Sequence, residues 1–174
     1  MVAVAPLPTI LEGRAGSPGR AMRIAIGATH NGYHVKSILV EALKQLGHEV
    51  ADLGVCDSRP IDYPDIAAKV AGTVSRGEAE RGILLGGTGI GLTIVANKFP
   101  GVRAALCHDD MTAEYSRRHT DSNVLCLSTV LLGERLIRRI VETWLKTPFE
   151  GGRHTRRLEK LARLEREGRL GEEQ

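Results

Sequence analysis

Five short apolar runs, each followed by a segment of helical period, occupy the chain from Met22 to Leu145. Strict alternation of this kind, with strands apolar on both faces, leaves few solutions beyond a parallel sheet covered by helices on each side. The runs are RIAIG (23–27), HEVADLG (48–54), GILLG (82–86), VRAALC (102–107) and NVLCLS (123–128). Ile38, Leu39, Ala42, Leu43 and Leu46 share one helical face that stops at Gly47, and Ile66, Ala67, Val70, Ala71 and Val74 mark a second helix behind Pro64 at N1. TIVANK lies in a third helix, a fourth runs from Asp109 to Arg118, and Leu136, Ile137, Ile140, Val141, Trp144 and Leu145 make a fifth amphipathic. The expectation is an α/β fold, three-layer α/β/α and Rossmann-like, with a five-stranded parallel sheet and an added C-terminal helix. Strand order does not follow from the sequence.

A length of 174 residues suits one core of this size. Residues 1–21 lack a basic leader region, and prolines interrupt their apolar stretch, so they read as a disordered lead-in rather than a signal peptide. Residues 22–150 form the expected α/β domain, and 151–174 a basic helix and tail belonging to it. The narrow stripe of Leu158, Leu161 and Leu164 suits a helix reaching over a partner subunit, with packing on its own domain as the alternative. Net charge is only +3 and aromatics make up 3%, which argues against a nucleic-acid surface, and no run is long enough to span a membrane. Three widely spaced cysteines, Cys56, Cys107 and Cys126, encode neither a disulfide framework nor a zinc site, which fits a reducing cytoplasm.

The third strand ends in GGTGIG, where Gly86, Gly87, Gly89 and Gly91 precede a helix. Ligands of open parallel sheets collect at such strand ends, and glycines let main-chain N–H groups converge on an anion. Thr88 adds a hydroxyl donor. A tight turn alone is the plainer reading, but four glycines in six residues exceed what one turn needs. The lysine of a P-loop is absent, since Leu92 and Thr93 follow Gly91, and the spacing and position do not fit a dinucleotide fingerprint.

GGTGIG…ANKFPGVRAAL, RRHTDSNVL and FEGGRHTRRLEKL, with IGATHNGYHVK and DYP upstream, closely resemble the ribose-5-phosphate isomerase B and galactose-6-phosphate isomerase family over roughly Met22 to Arg169. The resemblance implies aldose–ketose isomerisation of a sugar phosphate through an enediolate, most readily ribose 5-phosphate and ribulose 5-phosphate, with no metal or cofactor. It implies dimers or larger assemblies with sites at the interface. By resemblance His119 helps open the sugar ring, Thr88 and the backbone of Gly87, Gly89, Ile90 and Gly91 hold the oxyanion, and Arg153 and Arg157 grip the phosphate. His30, Tyr63 and Thr120 would contact substrate. Plainer roles are a dipole-stabilised helix-end histidine for His119, a turn for His30, packing for Tyr63 and a solvated basic face for the arginines.

Departures from the family pattern cluster at the base. The family's cysteine position before the turn holds Gly86, and the glutamate position used by another branch holds Leu92. Thr29, Thr120 and Val130 replace a usual aspartate, asparagine and arginine. Asp109 and His108, which follow the fourth strand, are candidate substitute bases, with a helix N-cap as the more ordinary role of Asp109. The alternative to catalysis is a sugar-phosphate-binding or partner subunit of a hetero-oligomeric isomerase.

Overall fold

The computed structural model describes residues 20–54 and 61–170. Residues 1–19, the bulk of the expected lead-in, and Cys56 lie outside the described residues.

Five strands, β1 (Arg23–Ala28), β2 (Glu49–Asp52), β3 (Arg81–Gly86), β4 (Ala104–Leu106) and β5 (Val124–Ser128), form one wholly parallel sheet in the order β2-β1-β3-β5-β4. Six helices accompany them: α1 (Tyr33–Gln45), α2 (Tyr63–Ser75), α3 (Ile90–Ala96), α4 (Asp110–Thr120), α5 (Glu134–Lys146) and α6 (Arg153–Leu170). Ile24, Ile26, Ile83, Leu85, Leu125 and Leu127 point to one face and pack with Leu39 and Leu43 of α1, Ala113 of α4 and Ile137, Ile140 and Trp144 of α5. Ala25, Leu84, Val124 and Cys126 point to the other, beneath α2 and α3. This is the three-layer arrangement expected from the sequence.

Two differences follow from neighbours rather than periodicity. The edge strand β2 is four residues long and mostly exposed, because only β1 pairs with it. Helix α4 begins at Asp110, one residue later than the sequence suggests, because Asp109 caps it: its carboxylate accepts the Thr112 amide at 2.7 Å while Thr112 Oγ1 accepts the Asp109 amide at 3.2 Å.

The connection leaving β1 runs to β2 at one side, whereas the one leaving β3 runs towards β4 at the other. Their carboxyl ends therefore flank a topological switch point, the crevice where open α/β sheets hold ligands.

Candidate active site

That crevice is a cavity of about 540 Å³, bounded by Thr29–Asn31 after β1, Ile61–Tyr63 at the start of α2, and the turn Gly86–Leu92. Gly89 has φ +77, and a Cβ there would come within 2.6 Å of Leu106 Cδ1, so only glycine fits the corner. Gly91 serves packing instead: the Tyr63 ring occupies the space of its missing side chain, 2.6 Å from an ideal Cβ.

The turn is pinned from behind. Gly86 carbonyl accepts the Thr129 amide at 2.9 Å, and Gly87 carbonyl accepts Ser128 Oγ at 2.6 Å and the Val130 amide at 3.3 Å. Among the described residues, the amides of Gly87, Thr88 and Gly89 have no protein acceptor. With its carbonyls held by β5 and its amides unspent, the turn can donate hydrogen bonds to an anion. Thr88 Oγ1 accepts the Ile90 amide at 3.4 Å, which leaves the hydroxyl proton available for donation. Two further polar atoms, Thr29 Oγ1 and His30 Nδ1, are buried at this crevice with no partner among the described residues.

His119 and the arginines lie elsewhere in the chain. Helix α4 carries the chain from the carboxyl end of β4 back to the amino end of β5, and its eleven residues, at about 1.5 Å each, span ~16 Å. Its last turn is locked to the amino edge of the sheet. Arg103, just before β4, binds Asp121 at 2.9 Å, and buried Arg117 binds Asp121 at 2.7 Å and the Ser122 carbonyl at 2.6 Å while lying over Trp144. In a single copy, His119 and the glycine turn therefore occupy opposite edges of the sheet.

At that edge the His119 ring stacks on His154, with centroids 4.3 Å apart and planes 6° from parallel, and meets Tyr115 at 4.7 Å. Glu150 lies 3.9 Å from His119 and binds Arg118 at 3.1 Å. Arg153 donates to His154 Nε2 at 3.3 Å, and Arg157 Nη1 lies 3.5 Å from His154 Nδ1. Burial, then the neighbouring charges of His119 and Arg153, hold His154 below the usual imidazole range, so it stays neutral between two guanidinium groups.

Ligand atoms of His119, Glu150 and His154 lie within 4.8 Å of one another, the spacing of a metal site. The geometry fits a metal poorly. A metal sits about 2 Å from a ring nitrogen and in that ring's plane, so two stacked rings would have to turn to share one ion. The surrounding Arg118, Arg153 and Arg157 favour an anion instead.

His154 and Glu150 were not among the sequence candidates, although both stand in FEGGRH, and their spacing of four across two glycines obscures that they converge. Thr120 does not join this cluster. Its hydroxyl donates to the Ser116 carbonyl at 2.6 Å, and it lines a separate groove beneath Leu158 and Leu161 of α6. Val130 stands beside the glycine turn, 68% exposed and apolar. Asp109 is outside the crevice lining, and its carboxylate is held below the usual range, chiefly by the Thr112 amide. Burial raises the Cys107 thiol and pushes Cys126 up to about 12, so neither supplies a thiolate.

The family model described as ribose/galactose isomerase matches residues 24–161. The chain is 43% identical to the ribose-5-phosphate isomerase B of Escherichia coli over 143 residues, covering 82% of this chain and 96% of that protein. It superposes on the ribose-5-phosphate isomerase B of Clostridium thermocellum with a TM-score of 0.82 at 45% identity, over 84% of this chain and 99% of that one. The ribose-5-phosphate isomerase B of Mycoplasma genitalium, whose structure holds ribulose 5-phosphate, gives 0.81 at 42% identity, over 83% and 97% of the two chains. Fold, motif order and near full-length identity agree: the chain belongs to the ribose/galactose isomerase family.

Proposed function

We propose that this chain interconverts ribose 5-phosphate and ribulose 5-phosphate in a site completed by a second copy of itself. The observation that carries the reading is the glycine turn, whose free amides at Gly87, Thr88 and Gly89 suit the oxyanion of an enediolate. Each such donor is worth about 3–4 kcal/mol at a developing charge. His119, Arg153 and Arg157 would come from the partner copy, because they sit at the opposite sheet edge. Leu161 and Leu164 of α6 are 50% and 62% exposed over the groove beside β4, which supports a face covered by another copy.

In this arrangement His119 moves a proton between the ring oxygen and the anomeric hydroxyl to open the sugar. Arg153 and Arg157, on adjacent turns of α6, hold the phosphate. His30, Tyr63, Ile90 and Gly91 line the sugar crevice. Hydrogen passes between neighbouring carbons as a proton, so the chemistry asks for no redox cofactor. The two described cysteines are free and buried, which supports a reducing, cytoplasmic setting; among the described residues no helix is long and apolar enough to cross a membrane.

The test is interconversion of five- and six-carbon aldose phosphates by the purified protein. Turnover is expected with ribose 5-phosphate, and His119→Ala should lose it with that ring-closed substrate. The second reading, a binding or partner subunit, is favoured by Gly86 and Leu92, which cannot accept a proton. It predicts saturable sugar-phosphate binding, weakened in Arg157→Ala, with no turnover by the isolated chain.

A further inference from the structure

We infer that Asp62 is the base that moves the C2 proton in this protein, an assignment that rests on the isomerase reading above. Gly86 has no side chain, and buried Leu92 fills the space beside it: a Cβ on Gly86 would lie 2.8 Å from Leu92 Cδ1. Among the described residues that line the crevice, the ionisable side chains are His30, Asp62 and Tyr63. The phenol of Tyr63 is a donor at neutral pH.

His30 is also turned into a donor by its surroundings. Its Nδ1 is buried with no partner among the described residues, and an orphaned lone pair there costs less than an orphaned N–H. The hydrogen therefore sits on Nε2, which faces the crevice as a donor. That leaves one acceptor. Asp62 occupies the N-cap position of α2 with φ −70 and ψ 127, yet its carboxylate makes no cap hydrogen bond. No ion pair engages it among the described residues. By contrast, Asp109 of α4 and Asp52, which binds Lys36 at 2.7 Å, have their carboxylates committed. Asp62 is exposed at the crevice wall, with the Tyr63 ring following it and packing on Gly91 of the oxyanion turn.

The step balances without a co-reactant. The carboxylate of Asp62 takes the proton from C2 of the open-chain aldose, the C–H electron pair forms the C1–C2 double bond, and the carbonyl pair moves onto O1, facing the free amides. The proton on O2 passes to O1, the electrons on O2 re-form a carbonyl at C2, and C1 takes back the proton held by Asp62. Thr29 and His30 donate to the sugar oxygens.

The assay uses the full chain, ribose 5-phosphate turnover and deuterium incorporation at C2 in heavy water, with 5-phosphoribonate as the binding probe. The Asp62 carboxylate makes no cap hydrogen bond that an amide would disturb. Asp62→Asn should therefore keep its fold and bind 5-phosphoribonate within about threefold, while turnover and exchange fall ~10²- to 10⁴-fold. In Asp62→Ala, added formate should restore part of the turnover in a saturable way. If the wild-type protein turns over and Asp62→Asn matches it within about fivefold, the assignment fails and the isomerase reading stands. Should activity fall only in step with 5-phosphoribonate affinity, with no formate rescue, Asp62 is structural and the assignment also fails. A wild type that binds 5-phosphoribonate but neither turns over nor exchanges would overturn both.

Discussion

At the scale of single residues, Gly86 and Leu92 have to be considered together. Leu92 is 2% exposed and sits where a side chain on Gly86 would go. Installing the family's cysteine alone, Gly86→Cys, should cost about 1–3 kcal/mol through overpacking and bring no gain in turnover. The pair Gly86→Cys with Leu92→Val removes the colliding methyl and should recover the lost stability, which thermal unfolding of the two variants would check. His154 carries a different prediction. Its folded form resists the proton that the unfolded chain takes up near its ordinary 6.5, so this contribution is fully present above that pH and is lost as pH falls below it. The melting temperature should drop from pH 7 to pH 5, and less steeply in His154→Gln. His48, held low by burial, accounts for part of the remaining slope. An identical slope in the variant would show that His154 is not the group responsible.

At the scale of elements, α4 connects the two edges of the sheet. Its amino end is set by the Asp109–Thr112 capping box and its carboxyl end by the buried Arg117–Asp121 pair. Asp109→Ala should lower the melting temperature by removing the cap on the Thr112 amide. If the cap is its whole role, Asp109→Asn will keep both stability and turnover, whereas a base at this position would cost the asparagine variant most of its activity. The α3 turn behaves as a unit in the same way. Gly89→Ala meets both a left-handed backbone and Leu106, so it should reshape the turn and lower sugar-phosphate binding and turnover together.

At the scale of the whole molecule, the proposed site, with the glycine turn from one copy and His119 from another, would make activity a property of an assembly. Mixing Thr88→Ala with His119→Ala protein, under conditions that exchange subunits, should restore activity. In a twofold dimer half of the molecules are hybrids with one intact site of two, so recovery should approach ~25% of wild type. Recovery that stays at the sum of the separate variants would mean that each site is built within one chain.

The layers are legible in the local pattern of the chain. Continuous apolar runs mark strands buried on both faces and a period of 3.6 marks the covered side of the helices, and the glycine-rich turn is legible because only glycine leaves amides unshielded. The family resemblance pointed to His30 and Tyr63, and both line the crevice beside the turn. Tertiary structure alone decided the rest. The order β2-β1-β3-β5-β4 creates the switch point between β1 and β3, and no local pattern encodes which strands become neighbours. It also decided that His119 stacks on His154 from a helix thirty-odd residues on, and that Leu92 fills the hollow at Gly86. These contacts join residues distant in the chain or hidden from its period. They form only because a close-packed interior admits a single arrangement of such side chains.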